Sequence, residues 1–145
     1  HNFRLPNHLA ALGISQLKNL KKFNHQRRKI ARTYDLFLEQ YPKIFKIQKV
    51  SSLLTHSYQM YSVLVKENKR NDLLFYLKKN GIEASAHFDP PLHRQDYLKR
   101  YAKKLVNTDI LAKSIVTLPM YPNLKKREIN RIFNSIQNWY KKIKK

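Results

Sequence analysis

Apolar residues recur at spacings of three and four through most of the stretch from Pro6 to Gln40. Leu9, Leu12, Leu17, Leu20 and Phe23 form one stripe, whose spacing slips near Gly13. Ile30, Tyr34, Phe37, Leu38 and Tyr41 form a second, cleaner face. That period places each set on one side of an α-helix. Pro6 suits a first turn, where its missing N–H is not needed, and Pro42 disfavours helix in the residue before it. The pattern predicts one long bent helix or two in series, ending before Pro42. Lys21, Lys22, Arg27, Arg28 and Lys29 lie on the polar side.

Residues 42–55 have no clean period and predict an irregular crossing with a short extended piece at 44–47. Residues 58–65 are aromatic and β-branched and predict a strand. Asn68 to Asn71 offer caps for a helix through Lys79, which Gly81 stops by taking a positive φ. Residues 82–88 alternate and predict a second strand, ended by Pro90 and Pro91, which cannot donate to a ladder. His87 then stands at a strand end and His93 in the loop or helix start beyond, where binding groups are often displayed; a structural turn with two surface histidines fits equally. Helical pieces follow at 95–104 and from Asn107 or Thr108 to Ser114, with a third strand at 115–118. Ile129, Ile132, Phe133, Ile136, Tyr140 and Ile143 share one face of a last helix. Its cationic start opposes the helix dipole, so packing must carry it. The order predicts an α+β layer: a long N-terminal helix, then a three-stranded sheet covered by helices.

The 145 residues suffice for one core. Cysteine is absent, which removes disulfide and thiolate chemistry and fits a cytoplasmic location. No apolar run approaches the ~20 residues that span a bilayer. The formal net charge of +21 changes the picture more. It attracts polyanions such as nucleic acid, nucleotides or anionic lipid surfaces, and raises a basic nucleic-acid-binding module as a rival reading. AT-rich coding sequence and solvated helix faces account for it as well. So does an acidic remainder, since the chain opens on His1 in mid-motif, like a piece of something longer.

Residue chemistry alone yields no catalytic set. The six histidines include no HExxH pair, and with no cysteine there is no metal-ligand spacing. Only Gly13 and Gly81 occur, so there is no glycine-rich phosphate loop. Tyr97, Lys99, Arg100 and Tyr101 interleave rings with cations, which serves base stacking or an amphipathic helix equally.

Four ordered segments add to this reading. They are Asn2-Phe3-Arg4-Leu5 with Ala10-Ala11-Leu12-Gly13-Ile14-Ser15-Gln16-Leu17; Arg27-Arg28 with Ile30-Ala31 and Tyr34; Gly81-Ile82 with His87-Phe88 and Leu92-His93; and Leu118-Pro119-Met120-Tyr121-Pro122. Together they resemble the DegT/DnrJ/EryC1/StrS family of PLP-dependent sugar aminotransferases, in order and across essentially the whole chain.

The resemblance implies the small C-terminal domain of the type I aminotransferase fold. Residues 1–41 would link to a PLP-binding domain lying upstream, and 42–145 would form the small domain. It implies pyridoxal 5'-phosphate as cofactor, a nucleotide-sugar substrate, glutamate as amino donor, a homodimer, and products for surface glycans. No catalytic residue falls in this chain, because the Schiff-base lysine belongs upstream; alone it would be inactive. Asn2 matches a position that contacts the cofactor phosphate across the dimer, and Arg4 stands beside it. His87 matches a position lining the sugar-nucleotide pocket, with Phe88 where many members have tyrosine, and His93 is a further candidate. A non-catalytic relic of the family is the remaining alternative.

Overall fold

The computed structural model describes residues 4–101 and 103–144. Its first helix, α1, is continuous over Asn7–Leu38, 32 residues or about 48 Å at ~1.5 Å per residue. Only its last third is buried, through Ile30, Ala31, Tyr34, Phe37 and Leu38. The earlier stripe of Leu9, Leu12, Leu17 and Leu20 is between 46% and 67% exposed.

Three strands follow the antiparallel order β1-β2-β3: β1 Phe45–Ile47, β2 Tyr61–Val65 and β3 Ile115–Leu118. Strand alternation sends Phe45, Tyr61, Val63, Val65, Val116 and Leu118 into the core. Helices α2 (Arg70–Lys79) and α4 (Lys126–Ile143) complete that core, and α3 (Val106–Ser114) lies between two short 3-10 turns, Leu92–Arg94 and Asp96–Tyr101, and β3. The core is aromatic at its centre: Phe37 stacks on Phe133 with centroids 3.9 Å apart, and Tyr34 meets Tyr61 at 4.8 Å. Trp139 is fully buried, and its indole N–H donates to Asp72 on α2 at 2.9 Å. At the cationic start of α4, Glu128 accepts the Lys125 N–H at 2.8 Å and the Tyr121 hydroxyl at 2.9 Å, which offsets the charge there.

The α+β class and the three-stranded sheet stand, but one strand is not the expected one. The extended piece at 44–47 pairs as β1, whereas 82–88 makes only a single bridge, Ser85 to Thr117. Ile82 is held in the preceding turn, where its carbonyl accepts the Ala84 N–H, and Phe88 has φ of +59°. Too little extended chain remains between them for a ladder. The piece expected at 95–104 is the 3-10 turn at 96–101, because no i→i−4 run establishes itself there.

Gly81 ends α2 as expected. Its φ is +68°, its N–H donates to the Lys78 carbonyl, and the Ile82 N–H reaches back to the Leu77 carbonyl. Ile82 and Leu77 are both buried, which supplies the apolar contact of that motif. A Cβ at Gly81 would stand 2.7 Å from Arg131 Nη2, which itself donates to the Asn80 carbonyl. Gly13, by contrast, would meet nothing within 4 Å.

The chain beyond α2 is tied to α3 by one carboxylate. Arg94 Nε and Nη2 donate to Asp109 Oδ1 and Oδ2 at 2.6 and 2.8 Å, and His93 Nε2 lies 3.0 Å from Oδ1. The Arg94 hydrogen bond leads in holding the Asp109 carboxyl well below its ordinary value, at about 2.

The two glycines should respond in opposite directions to alanine. Gly13→Ala removes helix-interior backbone freedom and should stabilise by about 0.5–1 kcal/mol. Gly81→Ala forces alanine into left-handed geometry and should destabilise by about 1–2 kcal/mol or more. Urea denaturation measures both, and a shared sign would contradict these assignments. The Asp109 tether should also respond to acid. Its folded pKa is depressed, so its contribution is fully present above the unfolded value of about 3.9 and fades as pH falls toward about 2. The Asp109 carboxyl resonance should titrate near the lower value, and Arg94→Gln should move it upward.

Candidate functional site

The segments singled out in the sequence meet in space. Arg27 Nη1 donates to the carbonyls of Gln59 and Met120 at 3.1 Å each, and of Tyr58 at 3.3 Å. One helix face further on, the Tyr34 hydroxyl donates to the Pro119 carbonyl at 2.8 Å. The segment containing Arg27 and Tyr34 therefore holds the segment containing Pro119 and Met120 directly. Ser85 exchanges two backbone hydrogen bonds with Thr117, at 3.1 and 2.7 Å, so the third segment lies along β3.

A cavity of about 190 Å³ opens where these pieces converge, walled by Gln59, Met60, Ser85, His87, Thr117 and Met120. The ring of His87 is exposed, and its Nδ1 lies 2.9 Å from the Ser85 hydroxyl. Phe88 is 73% exposed with its centroid 6.3 Å from the His87 ring. Its left-handed φ of +59° is uncommon for a bulky side chain and is held in place by the segment around it. Arg70, buried at the start of α2, sets Nη1 2.8 Å from Asp89 Oδ2, yet neither Nε nor Nη1 forms a hydrogen bond. The contact is one of charge. Gln95 Nε2 anchors the same segment by donating to the Pro90 carbonyl at 2.8 Å. A polar ligand could be bound here by imidazole, amide and hydroxyl groups and the Glu83 carboxylate, against two methionines.

Of the residues expected from sequence, His87 lines this cavity, and Phe88 follows it without lining it. His93 is mostly buried and its Nε2 faces Asp109 rather than the cavity. Arg4 precedes α1, exposed and without a hydrogen bond or ion pair among the described residues. Asn2 lies outside the described residues. Gln59, Met60, Ser85 and Arg27 were not assigned to a site from sequence. Arg27 does stand beside Arg28 in one quoted segment, which was the available signal for the last.

At the start of β2, the Tyr61 hydroxyl donates to Asp35 Oδ1 at 2.6 Å. Burial raises the Asp35 carboxyl above its usual range, against the lowering effect of that hydrogen bond. Burial first, and the Asp35 contact second, pushes the Tyr61 phenol far above an ordinary tyrosine, so it stays a donor. Among the described residues no group of three or more histidine, cysteine or acidic side chains could hold a metal, and no helix is long and apolar enough to cross a membrane.

Comparison with known proteins gives the frame for this geometry. Residues 1–137 match the model of the DegT/DnrJ/EryC1/StrS aminotransferase family. GDP-perosamine synthase of Escherichia coli O157:H7 is 28% identical over 141 residues, which are 97% of this chain and 38% of that protein. Helicobacter pylori PseC, described as an aminotransferase involved in the biosynthesis of pseudoaminic acid, superimposes with a TM-score of 0.85 at 26% identity. That match covers 98% of this chain and 39% of PseC. NtdA of Bacillus subtilis, solved with PMP bound, gives a TM-score of 0.79 at 22% identity, over 91% of this chain and 32% of its own. The chain thus spans about two fifths of the length of such relatives. On the family match over residues 1–137, this chain belongs to the DegT/DnrJ/EryC1/StrS aminotransferase family.

Proposed function

We propose that this chain is the C-terminal part of a PLP-dependent sugar-nucleotide aminotransferase. In this reading the whole protein moves the amino group of glutamate to a keto-sugar nucleotide, releasing 2-oxoglutarate and an amino-sugar nucleotide. It works as a cytoplasmic homodimer, and its product serves surface glycan synthesis. The family match over residues 1–137 is the observation that carries the reading. Residues 1–41 link to the upstream domain, and 42–145 form the small domain.

Pyridoxal 5'-phosphate, when bound, supplies the electron sink through which an amino group passes between donor and acceptor. The residues of this chain fit one end of it. Arg4 is exposed and unpartnered among the described residues, and a guanidinium suits a phosphate. Asn2, two positions earlier in the sequence, adds an amide donor. No lysine whose side chain is described is buried, so the Schiff-base position and the rest of the cofactor site are assigned to the upstream domain.

His87 and Phe88 face the sugar end of the substrate. The Ser85 hydroxyl orients the imidazole, and Phe88 offers an apolar ring edge without the hydroxyl that a tyrosine would bring. His93 contributes by positioning: through Asp109 it fixes the segment that carries His87. The C-terminal part alone is inactive in this reading.

The full-length protein, given PLP, glutamate and a panel of keto-sugar nucleotides, should form 2-oxoglutarate with at least one of them. Failure with every nucleotide sugar, in protein that retains PLP, would contradict the reading. Within it, Asn2→Ala leaves a phosphate contact unmade and should weaken PLP retention roughly 5- to 150-fold, from ~1–3 kcal/mol for such a loss. Co-expression of Asn2→Ala with a variant lacking the Schiff-base lysine should restore one intact site per mixed dimer. No recovered activity, with mixed dimers shown to form, would mean that Asn2 does not serve the partner's site.

A further inference from the structure

We propose that the outer flank of α1 carries a second pocket, one that binds a phosphoryl group, formed by Arg28 and Arg32 against the loop between β1 and β2. It goes beyond the function proposed above and does not depend on it. The pocket is about 450 Å³, and it shares no lining residue with the His87 cavity.

Arg28 and Arg32 are four residues apart, so they project from one face of α1 on successive turns. Both line the pocket, and among the described residues neither forms a hydrogen bond or an ion pair. Two guanidinium forks at that spacing can each present paired N–H groups to phosphate oxygens. The opposite wall is Ser51, Thr55, His56 and Tyr58. His56 Nδ1 lies 2.9 Å from the Tyr58 backbone nitrogen, which can only donate. Nδ1 is therefore the acceptor, the proton sits on Nε2, and the free side of the ring is a donor. Ser51 Oγ accepts the Leu53 N–H at 3.3 Å, which leaves its own proton available.

The loop is fixed as well as polar. Tyr58 is left-handed, with φ of +49°, and its carbonyl is held from the inner side by Arg27. The His56 and Tyr58 rings meet edge to face at 4.4 Å, and Val50 and Leu54 complete an apolar wall. That wall leaves room for more than a phosphate, such as the body of a nucleoside. One carboxylate, Asp35, also lines the pocket, but its Oδ1 already accepts the Tyr61 hydroxyl. Two guanidiniums against one carboxylate leave a net cation for the ligand.

Charge alone is not the argument, since a chain of net +21 carries many solvated cations. What separates this pair is the facing set of donors on a pinned loop. Inorganic pyrophosphate and uridine diphosphate are the probes, titrated into the full chain at about 150 mM salt, where diffuse attraction is screened. We expect saturable one-to-one binding that moves the His56 ring resonances. Arg28→Gln/Arg32→Gln should weaken it by about tenfold or more. Neither arginine has a hydrogen bond to lose, so a thermal melt should show the fold intact. Lys21→Gln/Lys22→Gln removes equal charge from the same helix outside the pocket and should change affinity less than about twofold. Tighter binding of uridine diphosphate assigns the ligand to nucleoside phosphates, and equal binding assigns it to the inorganic anion. Equal weakening by both double variants, absence of saturation, or unmoved His56 resonances would overturn the proposal.

Discussion

A single nitrogen, Arg27 Nη1, donates to three carbonyls from two separate stretches of chain: Tyr58 and Gln59 before β2, and Met120 after β3. It has two protons for three acceptors, so at least one bond is shared, and the one to Tyr58 is the longest at 3.3 Å. Ionised donors make the stronger hydrogen bonds, and a carbonyl left unpaired in a partly buried place costs ~1–3 kcal/mol. The walls of the His87 cavity that come from Gln59, Met60 and Met120 stand where they do because this side chain reaches them. The same contact pins the loop opposite Arg28 from its inner side. Neighbouring arginines on α1 thus face the two sides of one loop.

The remaining supports are arranged around that contact. Tyr34, seven residues along α1, holds the Pro119 carbonyl, and Asp35 accepts the Tyr61 hydroxyl at the base of β2. These bonds fix the end of the sheet at which β2 begins and β3 finishes. Stacked rings, Phe37 on Phe133 and Tyr34 against Tyr61, hold α1 to the sheet and to α4 while the polar groups set its rotation. The segment carrying His87 and Phe88 is attached separately, through Ser85 to β3, Asp89 to Arg70, and Arg94 to Asp109.

What was legible in the sequence was local. The periods of α1 and α4, the β-branched run of β2 and the stop at Gly81 each depend on neighbours within about one or two turns. Which short extended piece joins the sheet is decided elsewhere. Phe45 pairs opposite Val65 and both are buried, whereas residues 82–88 are trapped between the Gly81 turn and the left-handed Phe88. Trp139 follows Ile132 and Ile136 on the α4 stripe, so its burial could have been read; its partner Asp72, 67 positions away, could not. The site divides the same way. His87 was visible as an imidazole at the end of an extended run, but Gln59 and Met120 are held beside it through Arg27, across separations of 32 and 93 residues. His93 looked like its equal in sequence, and the carboxylate of Asp109 takes its Nε2 instead.

The central claim is that one guanidinium holds both strand ends. Backbone amide exchange in Arg27→Gln, compared with the unaltered chain, tests it most directly. The strand-end amides of Tyr61 and Leu118, which pair beside the anchored carbonyls, should exchange faster by about tenfold or more, while Val63, Val65 and Val116 in the sheet centre keep their protection. Arg27→Lys should recover only part of the loss, because an ammonium lacks the fork and reach of a guanidinium. Unchanged exchange at the strand ends, or loss of protection spread evenly over the whole sheet, would contradict the account.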